Sequence, residues 1–363
     1  MQPTTDRPTE LRYRIADFIN DRLKVLPGIH AAAKAAIASL VHDRPADGEG
    51  QEPAAPTPNV SVEESALPEA SASPKQQDEP VTSERSRDVS SEAAAPASQV
   101  SLDNLPLPPF EMRELVGPTD PAAFDNPSGM PVYDYLAPSV YEKVFDFGCG
   151  CGRVARQLML QRPSPRRYVG VDLHLGMIRW CQQNLQPAAP NFSFLHHDVY
   201  NVRFNPNPDA PAMATFPAGD AQFTLVNALS VFTHLTAEQA VHYLGECARI
   251  LHAEGVLHAS WLLFDKKELS WMRPETPALY VSYLDPSAAV MFDREWVRTT
   301  ARQVGLRIYS IVPPYQRGNQ WVLMMTKRQG LPEPEFPPDT APYSDASPPR
   351  GARWDLSRIG LEE

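Results

Sequence analysis

Cysteine is scarce: Cys149, Cys151, Cys181 and Cys247 are the only four in 363 residues. They are too few and too scattered for a disulfide scaffold. Cys149 and Cys151 form C-x-C with no second pair to complete a zinc site, so they read as small turn residues and no metal is expected. Long apolar runs are also missing. None approaches the ~18 residues of a spanning helix, and the first residues carry no signal-peptide core. The expectation is a reduced, cytoplasmic protein. Positive charge is sparse too, and nothing is basic enough to track a phosphate backbone, which argues against nucleic acid as a partner. The net charge of −11 is uneven. Between Asp43 and Pro109 the bases are Arg44, Lys75, Arg85 and Arg87, against roughly three times as many carboxylates. Acidity is thus a property of one segment and names no partner.

Proline is what the chain has in excess, and its 39 prolines crowd two stretches, 45–109 and 332–349. They divide the chain into one globular domain with appendages. Residues 1–42 form a helical arm: Leu11, Ile15, Phe18, Arg22 and Leu26 fall at three- and four-residue steps before Pro27-Gly28, and an alanine-rich stretch follows over 29–41. Three readings of this arm stay open: a hairpin packed on the domain, an element that contacts a partner protein, and an anchor on a membrane surface. Residues 43–104 are rich in Pro, Ala, Ser and Glu. They cannot bury enough apolar surface to offset their ordering entropy, so a disordered linker is expected there. The domain is expected over 105–328, and a proline-rich tail over 329–363.

Within the domain the segment VFDFGCGCGR, 144–153, is decisive. A short apolar run reaches Asp146, then Gly148, Gly150 and Gly152 alternate, and Val154, Ala155 and Leu158 take up helical spacing. This is a strand, a tight turn and a helix. Glycine is needed where backbone turns sharply or lies against a ligand, and the helix start offers free N–H groups. The third glycine comes one residue earlier than in the dinucleotide fingerprint G-x-G-x-x-G, which disfavours a nucleotide-dependent oxidoreductase. A second strand over 167–172 (RYVGVD) ends in Asp172, placed to accept hydrogen bonds from two ribose hydroxyls or to cap the next helix. Strands then alternate with helices: 191–199, a fourth strand with its exit loop over 223–235, a helix over 237–251, a strand over 255–261, a helix over 295–304 and a closing antiparallel pair at 307–312 and 320–327.

The D-x-G-x-G-x-G stretch resembles the first motif of class I S-adenosylmethionine-dependent methyltransferases. The resemblance covers roughly 105–328. It implies an α/β, Rossmann-like, doubly wound sheet of about seven strands with the last antiparallel, and S-adenosyl-L-methionine as cofactor. It places Asp146, Gly148, Cys149, Gly150, Gly152 and Arg153 at the methionine end of the cofactor, and Arg153 is suited to the methionine carboxylate. Asp172 and Leu173 fall at the ribose, Asp198 and the Val199 amide at the adenine, and Ala228 at the end of the fourth strand. The segment 223–235 departs from the family in carrying Thr224 where relatives have an acid. Its S-V-F-T-H-L tail resembles a subset linked to glycan and cell-envelope biosynthesis. O-methylation of a sugar or glycan-related hydroxyl is the implied reaction, with His234 as general base and Trp261, Tyr280 and Tyr283 as acceptor walls. A small natural-product acceptor and a non-catalytic cofactor-binding scaffold are the alternatives. In this fold the leader before the first strand is expected to lie across the cofactor mouth.

Overall fold

A computed structural model describes residues 102–269, 272–282, 285–314 and 320–337. The expected helical arm, nearly all of the expected linker and the end of the expected tail lie outside these residues. From Leu102 onward a leader carries one short helix, α1 (Phe110–Leu115). The alternation then gives β1 (Lys143–Phe147), α2 (Arg153–Leu160), β2 (Arg167–Asp172), α3 (Leu175–Asn184), β3 (Phe192–His196), β4 (Phe223–Ala228), α4 (Ala237–Ile250) and β5 (Leu251–Phe264). Two short strands, β6 (Ala278–Tyr280) and β7 (Val290–Asp293), precede α5 (Arg294–Gln303), β8 (Arg307–Val312) and β9 (Trp321–Thr326).

The main sheet runs β3-β2-β1-β4-β5-β9-β8, parallel from β3 to β5, with β9 antiparallel to its neighbours. As the resemblance implies, the main sheet has seven strands and the last in the chain, β9, is antiparallel. Its strands read as near-continuous apolar runs because both faces are covered. One face buries Phe145, Phe147, Val171, Val226 and Leu257 in a core shared with α4. The other buries Val144, Tyr168, Leu225, Val256 and Met324 with α2 and the leader. Alternation along each strand assigns the faces.

α4 shows how local sequence sets an element. Thr236 accepts from the Gln239 amide at 3.3 Å while the Gln239 side chain accepts from the Thr236 amide at 3.0 Å, a reciprocal cap. Ala240, Tyr243, Leu244, Cys247 and Ile250 then fall on the buried side. Thr224 does not stand on a solvated edge: its hydroxyl donates to the Val140 carbonyl at 2.8 Å and accepts from the Lys143 amide at 2.9 Å, stitching β4 to the start of β1.

β5 is longer than its expected seven residues and takes a further partner at its end. Leu257 to Trp261 pair with β9, and Leu262 to Phe264 pair in parallel with β7. β7 in turn pairs with β6, so the insertion after β5 extends the sheet at its carboxyl end. The expected domain end at Arg328 also needs correction. Residues 329–337 run against α5 and the start of β8, where Glu333 meets Arg298 and Arg302 of the helix and Arg307 of the strand. Phe336 is buried under the guanidinium of Arg298 at 4.7 Å. Proline richness there reflects an extended strap with its own contacts.

Candidate functional site

The glycine turn is built from backbone. Gly148, Gly150 and Gly152 have φ of 78°, 53° and 81°, the left-handed region that favours glycine. The amides of Gly148 and Cys149 donate to the Val171 carbonyl at 2.8 and 3.1 Å, which ties the turn to the end of β2. Asp172 completes the tie: Oδ2 accepts from the Gly150 amide and Oδ1 from the His174 amide, each at 2.8 Å. Burial raises its pKa, and the two backbone donors work against that shift. Each carboxyl oxygen keeps a lone pair for a further donor. Arg153 opens α2 half-buried, and no carboxylate among the described residues pairs with it. The turn thus packs tightly, its glycines abutting Val231, Val116 and Leu185, with the Asp172 carboxylate bonded to it and the Arg153 guanidinium free of a carboxylate partner among the described residues.

Other expected cofactor residues sit differently. Asp146 is buried and turned away from the turn: Tyr168 donates to Oδ2 at 2.7 Å and Asn227 to Oδ1 at 2.6 Å. Burial raises its pKa, and these two hydrogen bonds oppose the rise. Both of its oxygens are thus engaged by side chains of β2 and β4. Cys149 is also buried, against Gly170, where a Cβ would meet its Sγ at 2.9 Å. The Val199 amide is spent on the His197 carbonyl at 2.8 Å, so the expected amide contact to adenine does not stand. Asp198 is exposed, and its carboxylate accepts from Asn205 at 2.9 Å, which lowers its pKa. Leu173 is half-buried at the tip of β2. Ala228 is fully buried, its methyl in the core.

At the ends of β4 and β5 the side chains converge from distant segments. His234 closes a short helical turn, Phe232–His234, and its Nδ1 lies 2.9 Å from the Ser287 carbonyl. A carbonyl only accepts, so Nδ1 carries the proton and Nε2 is the basic nitrogen. Burial lowers the pKa of His234, while the Ser287 hydrogen bond raises it. Tyr280 is half-buried beside this turn, its hydroxyl accepting from the Ala237 amide at 3.1 Å at the start of α4. Trp261 is not a wall. It is fully buried and stacked on Phe232 with ring centroids 4.1 Å apart, because its side chain points into the α4 face of the sheet. Tyr283 lies outside the described residues.

The sequence reading overlooked two groups. Ser230 adopts φ 60°, held by its amide on Ser260 Oγ at 2.7 Å and by Gln320 on its hydroxyl. Val231, next to it, packs so that a Cβ on Gly148 would meet its Cγ2 at 2.3 Å. The second group is Asn227 and His258, polar residues in apolar strands, joined to Tyr133 and Tyr135 of the leader. Their signal was that polarity in a strand buried on both faces.

Residues 144–255 match the family model described as a methyltransferase domain. Among solved structures, the chain is similar to an O-methyltransferase from neocarzinostatin biosynthesis in complex with S-adenosylmethionine (15% identity, covering 53% of this chain and 50% of that one, TM-score 0.37). It is likewise similar to mitomycin 7-O-methyltransferase (15% identity, 53% and 51% coverage, TM-score 0.38). A TehB-like methyltransferase from Corynebacterium glutamicum matches at 19% identity over 55% of this chain and 91% of that one, with a TM-score of 0.35. The chain spans about half the length of the first two. The family match makes residues 144–255 similar to a methyltransferase domain.

Proposed function

We propose that this protein methylates a hydroxyl of a small acceptor, a sugar or glycan-related compound before other natural products, with His234 as general base. The observation that carries the reading is the Nδ1 hydrogen bond of His234 to the Ser287 carbonyl, 2.9 Å, which leaves Nε2 to take a proton. The choice of a sugar rests on the S-V-F-T-H-L resemblance over 230–235.

When bound, the cofactor supplies a methyl group already activated on a sulfonium. In this reading Asp172 holds the ribose hydroxyls, Arg153 the methionine carboxylate and Asp198 the adenine amino group, while the glycine turn lets backbone approach closely. The protein holds the acceptor oxygen in line, an effect worth up to roughly 7–11 kcal/mol. His234 accepts the hydroxyl proton as the oxygen becomes nucleophilic, worth typically 10²–10⁴-fold. Tyr280 and the Ser287 turn of the insertion enclose that side of the site.

The test is methyl incorporation from S-adenosyl-L-methionine into a panel of sugars, phenols and amines, read by mass spectrometry for wild type and His234→Ala. Methylated sugar hydroxyls that vanish in the variant support the reading. Amine products, or hydroxyl methylation at wild-type rate in the variant, overturn it.

A further inference from the structure

Asp146, Asn227 and His258 stand opposite one another on β1, β4 and β5. Each is 2% exposed or less, so three polar side chains cross an otherwise apolar sheet face in one row. Burying such groups costs free energy unless every donor and acceptor is matched. Here they are matched, and the direction of each hydrogen bond follows from the acid. As a carboxylate, Asp146 only accepts, so Tyr168 and the Asn227 amide nitrogen both donate to it. Asn227 Oδ1 then faces the other way and accepts twice, from Tyr133 Oη at 2.9 Å and from His258 Nδ1 at 3.0 Å. That fixes the His258 tautomer, and its Nε2 accepts from Tyr135 Oη at 2.9 Å. Burial keeps His258 neutral, its pKa pushed down to about 3. The Tyr133 ring also lies on the His258 ring, with centroids 4.0 Å apart.

Tyr133 and Tyr135 belong to the leader, and the other end of that leader sits at the glycine turn. A Cβ on Gly150 would lie 2.7 Å from Val116 Cγ1. Met112, Val116 and Ala123 pack with Phe124, with Cys151 of the turn and with Met177 of α3. Between these ends the leader is tied along α2, where Arg156 donates to the Phe124 carbonyl at 2.7 Å and Gln157 to the Ala123 carbonyl at 3.0 Å. The row therefore joins the far end of the leader to Asp146, two residues before the glycine turn begins.

We propose that Tyr133, Tyr135, Asn227 and His258 are positioning residues for the cofactor: they latch the leader to the sheet, and the latched leader retains the cofactor at the glycine turn. The proposal rests on the reading of the turn and Asp172 as the cofactor site. None of the four touches the reacting atoms.

The test compares the full chain with its Tyr133→Phe/Tyr135→Phe variant, which keeps both rings and removes both hydroxyls. Two readouts are needed: the dissociation rate of S-adenosyl-L-methionine by stopped flow, and amide hydrogen exchange across 110–137. The expected result is dissociation about ten-fold faster or more, from two lost hydrogen bonds. Leader amides should lose protection while those of β1, β4 and β5 keep theirs. Tyr168→Phe is the control, since Tyr168 donates to Asp146 but hydrogen-bonds to no leader residue. It should leave the dissociation rate unchanged. An equal acceleration in that control would reduce the row to core structure, and unchanged dissociation in the double variant would overturn the latch. Should wild type bind no S-adenosyl-L-methionine, the cofactor reading fails, and exchange alone decides the latch: retained leader protection in the double variant refutes it. If the double variant does not fold, Tyr135→Phe alone carries the same comparison.

Discussion

The two halves of the proposed site, for cofactor and for acceptor, are made in different ways. On the cofactor side, the ends of β1 and β2 are joined by backbone: three glycines, two amides on the Val171 carbonyl and one carboxylate on two amides. Everything there comes from about 30 consecutive residues. On the acceptor side, His234 is oriented by Ser287, Tyr280 reaches Ala237, and Ser230 is pinned by Ser260 and Gln320. Those partners come from across the second half of the domain. A site made of local backbone tolerates few substitutions and does one thing in many proteins. A site assembled from distant side chains can be retuned piece by piece, which suits the half that chooses an acceptor.

If the halves are separable, each should fail without the other. His234→Ala should lower turnover by about 10²–10⁴-fold with cofactor affinity intact, measured by steady-state kinetics beside calorimetry. Because burial lowers the pKa of His234, wild-type turnover should level off with rising pH below the ordinary histidine value of ~6.5 and fall only in more acid solution. A profile that breaks well above ~6.5 would assign the proton to another group.

The converse is Asp172→Ala. It removes the acceptor from two backbone amides and, in the proposed reading, from two ribose hydroxyls. Hydrogen bonds to a charged group are worth about 1.5–3 kcal/mol, so cofactor binding should weaken ten-fold or more. Calorimetry giving wild-type affinity would remove Asp172 from the site and collapse the contrast between the halves.

A third variant should disturb neither half. Glu333→Ala strips the strap of the carboxylate shared by Arg298, Arg302 and Arg307 and leaves Arg298, 7% exposed, with the longer contact to Glu295. A loss of about 1–3 kcal/mol in chemical denaturation is expected, with kinetics unchanged in the folded protein. Altered acceptor kinetics would tie the strap to the site.

The smallest effect sharpens the acceptor side. Tyr280→Phe deletes one acceptor at the start of α4, worth about 0.5–1.5 kcal/mol. Turnover should persist, because the hydroxyl is already committed to Ala237. A drop in turnover beyond what stability explains would return Tyr280 to the acceptor as a polar contact.

The same local-versus-distant division governs what the sequence made legible. Gly148, Gly150, Gly152 and Asp172 were readable because a left-handed turn after a strand, and an acid at the next strand tip, are local demands on residue type. The alternation of strands with helices was readable for the same reason, each segment carrying its own period. Trp261 was misjudged because its face follows from alternation along β5, which puts it with Leu257 and Ala259 in the core shared with α4. Val199 failed for a smaller reason: its amide closes a tight turn on His197 that no residue type announces. β6 and β7 are too short to show a period. The tie between Asn227 and the leader tyrosines spans more than 90 residues and has no sequence signature beyond polarity out of place.

The fork in β5 bears on how the chain is made. β7 leaves the ribosome before β9, and it covers only Leu262 to Phe264. The five residues from Leu257 to Trp261 keep an open edge until Trp321–Thr326 arrive. Leu257, Ala259 and Trp261 are apolar, and an apolar edge strand is a template for pairing with other chains. Translation that stalls short of Trp321 would therefore release a product whose glycine turn is complete but whose sheet is still sticky. Quality-control machinery would meet this protein at that unpaired edge, which carries His258 and Ser260.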